Sequence, residues 1–160
     1  LKGLRARPVI AVLCAIGCFA TGTLSIAREC IGDYQMFSRE ETEAAAFVEE
    51  NTPEHATFLT YTNHINFVSS LAGRNIVCGP DTWLYYHGLS TSERHEDIRR
   101  FYADPAGNMD VLKKYEVSYM LVSAYERANL TVDLAALENL FPKLYESKSG
   151  GILIFGLPEG

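Results

Sequence analysis

From Pro8 to Ala27 the chain carries no charge, and no other stretch constrains it as strongly. A helix of that length, at about 1.5 Å per residue, spans about 30 Å, the hydrocarbon thickness of a bilayer. Fourteen of the 20 residues are apolar, and the others are Gly, Thr, Ser and Pro. A membrane helix tolerates those types where Asp or Lys would be costly. Cys14, Cys18 and Gly22 recur every four residues, a small-residue spacing that lets a neighbouring helix approach closely. The leading expectation is a transmembrane helix. A cleaved signal or lipoprotein leader competes with it, because a basic segment precedes the apolar run. Against the leader stand the length of the run, the lack of a clean Ala-x-Ala site, and only a weak lipid-attachment match at Ala15-Ile-Gly-Cys18. A helix buried in a soluble core is the third reading.

The flanks orient the span. Lys2, Arg5 and Arg7 precede it, whereas Arg28 follows beside Glu29 and Asp33. The positive-inside bias places residues 1–7 in the cytoplasm and residues 30–160 on the extracytoplasmic side. Two parts are therefore expected, residues 1–29 as the basic flank and span, and residues 30–160 as a folded domain. With the three head charges set aside, the formal net charge of −6 becomes −9 for the rest of the chain. So acidic a domain lacks the positive footprint that a phosphate backbone requires, and no nucleic-acid partner is expected. Aromatic residues make up 11% of the chain, too many for a disordered segment.

Beyond the span, hydrophobic period and punctuation predict alternating elements. Ser38-Arg-Glu-Glu41 has capping-box spacing and opens a helix that Asn51-Thr-Pro53 closes. Ala56–Tyr61 reads as a strand, Ile65–Ala72 as a short helix stopped by Gly73, and Asn75–Cys78 as a second strand. Asp81–His87 reads as an aromatic-rich helical turn, followed by helices over Ser92–Tyr102 and Met109–Tyr115. Val117–Val122 is a nearly continuous apolar run, as expected inside a parallel sheet. Helix Asp133–Phe141 and a hairpin over residues 143–155 complete the chain. The predicted class is α/β, a small three-layer domain with a mostly parallel sheet, flanking helices, right-handed crossovers and a C-terminal antiparallel hairpin, preceded by one transmembrane helix.

In open α/β sheets, ligands sit beyond the carboxyl ends of the strands. That rule selects the loops after Tyr61, Cys78 and Val122. They carry the candidate ligand-binding residues His64, Asp81, Trp83, Tyr86, His87, Glu126 and Arg127, with Tyr85 beside them. Aromatic rings beside carboxylate, imidazole and guanidinium groups suit a sugar, whose C–H face stacks while its hydroxyls hydrogen-bond. The plainer expectation is that Trp83, Tyr85 and Tyr86 pack a helix onto the sheet and that Glu126 and Arg127 cap or pair locally. His55 and His95 read as solvent-facing, and Arg94 with Asp97 as a surface pair one helical turn apart. No catalytic residue, cofactor or metal is expected. Gly-rich phosphate loops, H-E-x-x-H, C-x-x-C and G-x-S-x-G are all missing from the sequence, and the four Cys lack metal-site spacing. Cys30 and Cys78 are left as a conceivable pair that sequence cannot settle.

Several segments together resemble a known family. Lys114-Tyr-Glu-Val-Ser-Tyr-Met-Leu-Val-Ser-Ala-Tyr-Glu-Arg127 is similar to a signature near the C-terminus of polytopic prokaryotic membrane glycosyltransferases of the C superfamily and their uncharacterised relatives. Ala44-Ala45-Ala46-Phe47, Asn51-Thr52-Pro53-Glu54, Leu71-Ala-Gly-Arg74, and Gly88, Arg94, Asp97-Ile98 and Tyr102 resemble upstream segments of the same domain. The resemblance spans about residues 38–156. It implies a polyprenyl-phosphate sugar as donor, a catalytic carboxylate in an early loop outside this chain, and residues 8–27 as the last transmembrane helix of a longer protein. Expected partners are the lipid bilayer, the other transmembrane helices of the parent protein, and a glycan or polyprenyl-phosphate sugar. The domain itself is expected to position a substrate and not to catalyse, with a membrane-tethered protein-interaction module without a ligand cleft, or a free-standing secreted enzyme, as the alternatives.

Overall fold

The computed structural model describes residues 2–32 and 34–158, with side chains from residue 8 onward. Asp33 and the side chains of Lys2, Arg5 and Arg7, the charges that carry the expected orientation of the span, lie outside the described residues. Two separate units are present, one ending at Gln35 and one beginning at Met36.

The first unit is helix α1, Lys2–Ile31. Within its segment Pro8–Ile31 an 18-residue stretch has a mean hydropathy of 2.2, and none of that stretch is buried. Such a helix is long and apolar enough to cross a membrane. Two of its hydroxyls bond back to the helix backbone. Thr21 Oγ1 donates to Gly17 O (3.0 Å) and Cys18 O (2.9 Å), and Thr23 Oγ1 to Phe19 O (2.8 Å). Bonding back to the preceding turn leaves these groups satisfied where no water is available.

The second unit is an α/β sandwich around a five-stranded sheet of order β2-β1-β3-β5-β4. Its strands are β1 Thr57–Leu59, β2 Asn75–Ile76, β3 Val117–Val122, β4 Lys143–Glu146 and β5 Leu153–Gly156. β2, β1 and β3 are parallel neighbours, and β5 runs antiparallel to both β3 and β4, so four of the five strands point the same way. In register, Phe58 faces Tyr119, Leu59 faces Met120, and Leu121 faces Ile154. Alternation along each strand sends neighbours into opposite cores. Leu59, Met120, Val122, Leu153 and Phe155 point to one side, whereas Phe58, Leu121 and Ile154 point to the other. Covering both faces explains why β3 reads as an unbroken apolar run.

Helices α2 Arg39–Asn51 and α3 Phe67–Ser70 cover the second face with Ala44, Ala45, Val48, Phe67 and Val68. Helices α5 Ser92–Ala103, α6 Asp110–Lys114 and α8 Leu134–Leu140 cover the first with Ile98, Phe101, Tyr102, Val111, Leu112 and Leu137. The β1–β2 and β2–β3 crossovers travel in opposite directions on opposite faces, and therefore share one hand, as the crossover rule requires. Both core clusters are tied at the centre by fully buried Tyr102, whose hydroxyl lies 2.8 Å from Leu59 O and 2.5 Å from Leu121 O, joining β1 to β3.

Local chemistry accounts for the boundaries. Ser38 Oγ accepts from Glu41 N–H (3.2 Å) while Ser38 N–H donates to Glu41 Oε2 (2.7 Å), closing the box that starts α2. Gly73 (φ +63°) makes the turn after α3 that only glycine enters without strain. Behind it, Arg74 reaches Ala72 O, Glu49 O and both oxygens of Thr52, clamping the α3–β2 turn onto the end of α2. One element runs against the sequence reading. The segment after Val122, read as a loop, is helix α7 Ala124–Asn129, opened by a second capping box between Ser123 and Glu126.

Candidate functional site

The loops beyond the carboxyl ends of β1, β2 and β3 do converge, though not into one cleft holding all the candidate side chains. Between β1 and β3 the space is filled by Glu126. Its carboxylate accepts from Tyr61 N–H (2.8 Å), Ser123 N–H (2.8 Å) and Ser123 Oγ–H (2.5 Å), and the residue is 1% exposed. Burial pushes the Glu126 carboxyl above its ordinary range, against the pull of those hydrogen bonds. The Tyr102 phenol is raised by its own burial and further by the Glu126 charge. Glu126 thus cross-links the loop that leads to His64 to the start of α7. Arg127 turns away to the hairpin, donating to Gly151 O (2.5 Å) and Gly150 O (3.4 Å).

The other candidates lie on or beside helix α4, Asp81–Tyr86, which has no buried residue. Leu84 alone packs against the core. The expectation that its aromatics pack α4 onto the sheet is overturned. Trp83 is 60% exposed, Tyr85 76% and Tyr86 80%. The physical reason is length: a six-residue helix offers one apolar face, and Leu84 already occupies it. Trp83 and His64 stack with centroids 5.5 Å apart and planes 7° apart, so these two candidates from different loops are brought together. Tyr85 and Tyr86 meet edge-on at 5.8 Å. His87 caps the helix and is exposed, and Gly88 (φ +73°) follows, with Leu89 N–H donating to Leu84 O (3.0 Å). An open cleft of about 590 Å³ runs along α4 between Asp81, Tyr85, Leu89 and Thr91.

Asp81 does not face His64. It pairs with His95 Nε2 at 2.5 Å, so His95 is not the free solvent-facing residue expected. Cys78 lies beside this pair, and its thiol is pushed up to about 11 by burial first and by the Asp81 charge second. A nucleophilic thiol needs the opposite shift, so a Cys–His–Asp nucleophile has no support here. All four Cys are free, Cys78 buried and Cys30 exposed.

The Arg94–Asp97 pair read from spacing is also corrected. Asp97 is 6% exposed and is held by Arg100 Nε (2.8 Å), Lys114 Nζ (2.7 Å) and the Tyr115 hydroxyl (2.7 Å). Arg94 instead donates to Val77 O and lies 5.2 Å from the Tyr115 ring centroid. The cluster pins α6 to α5. Burial works to raise the Asp97 carboxyl, but hydrogen bonds from Lys114, Tyr115 and Arg100 outweigh it and bring it down to about 2. Because the folded group titrates below the unfolded one near 3.9, its stabilisation is complete above about pH 4 and is lost as the pH falls toward 2. Acid unfolding should therefore begin in that window, and Asp97→Asn should flatten the slope there by on the order of 2 kcal/mol across it. Circular dichroism against pH reads both.

No family model matches this sequence, and no curated protein does. Among solved structures, the C-terminal globular domain of oligosaccharyltransferase from Archaeoglobus fulgidus superposes with a TM-score of 0.51 at 16% identity, covering 76% of this chain and 99% of that one. At that identity the likeness is one of fold.

Proposed function

We propose that the chain from residue 30 onward is the extracytoplasmic, non-catalytic domain of an integral-membrane glycosyltransferase, positioning a glycan acceptor or a lipid-linked sugar donor. The observation that carries this reading is the fold shared with a globular domain of an oligosaccharyltransferase, nearly the whole of which is covered. An apolar helix long enough to span a bilayer precedes the domain, which supports attachment to a membrane. Positive-inside charge at Lys2, Arg5 and Arg7 supports the outward orientation. The Cys14, Cys18 and Gly22 stripe offers the close approach that other transmembrane helices of a parent protein would use.

The proposed sugar platform is the Trp83–His64 stack, with Tyr86 and His87 alongside. Glu126 is a positioning residue, holding the Tyr61 backbone from which the His64 loop departs. Trp83 is the single tryptophan of the chain, so its fluorescence reports on the platform directly. With the full chain in nanodiscs, titration with a short-chain polyprenyl-phosphate hexose and with a free oligosaccharide should give a saturable shift for at least one. Trp83→Ala, followed by calorimetry, should weaken that binding about tenfold, or about 1.4 kcal/mol, while leaving thermal stability nearly unchanged. No saturable response to either sugar would overturn the ligand role, leaving the exposed α4 aromatics as the surface of a tethered protein-interaction module.

A further inference from the structure

We propose that Cys78, Asp81 and His95 form a binding site for a divalent transition metal, zinc foremost. The Cys78 sulfur, an Asp81 carboxylate oxygen and a His95 ring nitrogen all lie within 4.8 Å of one another. They come from three places, the segment just after β2, the first residue of α4 and the first turn of α5, so no sequence spacing announces them. Zinc takes sulfur at about 2.3 Å and nitrogen or oxygen at about 2.0–2.2 Å, which sets its donors about 3.5 Å apart. The Asp81–His95 contact must open from 2.5 Å, and the sulfur, within 4.8 Å of both, must come to bonding distance of a shared ion. Asp81 has the room to move, its side chain being 52% exposed.

Charge and chemistry select the ion. A thiolate and a carboxylate cancel a double positive charge, with a neutral imidazole completing the set. Sulfur and imidazole donors favour zinc and its transition-metal neighbours, whereas calcium and magnesium require oxygen. Three protein donors leave a fourth position for water or another ligand. A cleft of about 360 Å³ lined by Cys78, Gly79, Leu84, Ser90 and Arg94 gives that position an approach. On this assignment Asp81 serves the metal and not the sugar platform. The site does not rest on the glycan reading, because metal uptake is read without any sugar present.

The test uses the full chain in detergent, stripped with a chelator and titrated with cobalt(II). One equivalent should produce a near-ultraviolet thiolate-to-cobalt charge-transfer band that zinc then displaces. Cys78→Ser should abolish the band, and His95→Ala and Asp81→Ala should each weaken zinc binding at least tenfold. A variant with Cys14, Cys18 and Cys30 all changed to Ser should keep the band. Zinc should raise the melting temperature of the wild-type chain and of that triple variant, but not of the site variants. Failure of the wild-type chain to develop the band, persistence of the band in Cys78→Ser, or its loss in the triple variant would overturn the assignment.

Discussion

Replacing Glu126 with Ala should lower the stability of the α/β domain by about 3 kcal/mol or more, and its melting temperature by about 10 °C. The carboxylate is the shared acceptor for Tyr61 N–H, Ser123 N–H and the Ser123 hydroxyl. Without it, these donors lose their shared acceptor, at about 1–3 kcal/mol for each buried donor left unpaired. Removing a buried charge relieves some desolvation, so the net loss is smaller than the sum of the bonds. For a domain whose whole stability is about 5–15 kcal/mol, that loss is a large share. Glu126→Gln should fall between, since the amide oxygen still accepts one bond while its NH₂ group meets a donor. Near-UV circular dichroism of the full chain in detergent, followed through thermal unfolding, ranks the three proteins. Equal melting temperatures would show that the cross-link between the β1 loop and α7 carries no weight.

The second large effect concerns α1. Leu13 and Ile16 lie near the middle of the uncharged stretch, and both are exposed. An Arg at the centre of a membrane helix costs about 2.5–3.5 kcal/mol for insertion, and each replaced Leu or Ile also forfeits about 0.5 kcal/mol. Leu13→Arg with Ile16→Arg together should therefore oppose insertion by about 6–8 kcal/mol, enough to shift the partition by several powers of ten. Expressed alone, the double variant should leave the membrane fraction, whereas the chain with Leu13→Ala and Ile16→Ala should stay in it. Fractionation and blotting read this directly. If the double arginine variant sediments with membranes as the parent chain does, lipid is not what α1 is built for.

Much of the architecture was legible because it rests on local rules. The Ser38–Glu41 box, the glycine stop at Gly73 and the alternation within β3 each follow from residues a few positions apart. The α7 helix was equally legible, since Ser123-Ala-Tyr-Glu126 repeats the spacing of Ser38-Arg-Glu-Glu41. The same segment follows a strand end, where a ligand-binding loop is equally expected, so spacing alone does not choose between the two. Long-range partners were not legible. Glu126 meets Tyr61 across 65 positions, and Asp81 meets His95 across 14 through a turn whose path the sequence does not dictate. Asp97 illustrates the same limit: helical spacing suggested Arg94, but packing of α6 supplied Lys114 and Tyr115, and Arg94 went to the Val77 carbonyl.

The residues that carried the family resemblance explain themselves in this light. Arg74 clamps the end of α2, Tyr102 joins two strands, Lys114 and Tyr115 hold Asp97, and Glu126 closes the crevice. These are scaffold contacts, and they account for a shared fold without implying a shared active site. The proposed sugar platform of Trp83 and His64 and the proposed metal site of Cys78, Asp81 and His95 lie outside those segments.

The proposed placement of α1 in lipid, with the α/β domain on the outer side, is tested most directly by one labelling experiment. Cys14, Cys18 and Cys30 are changed to Ser, buried Cys78 is kept, and Glu54→Cys places a thiol on the exposed surface of the domain. Intact cells expressing this chain are treated with a membrane-impermeant maleimide, and membranes are then washed with alkaline carbonate. The predicted result is labelling without permeabilisation, on protein that stays with the carbonate-washed membrane. Labelling only after permeabilisation, or recovery of the chain in the soluble fraction, would contradict it.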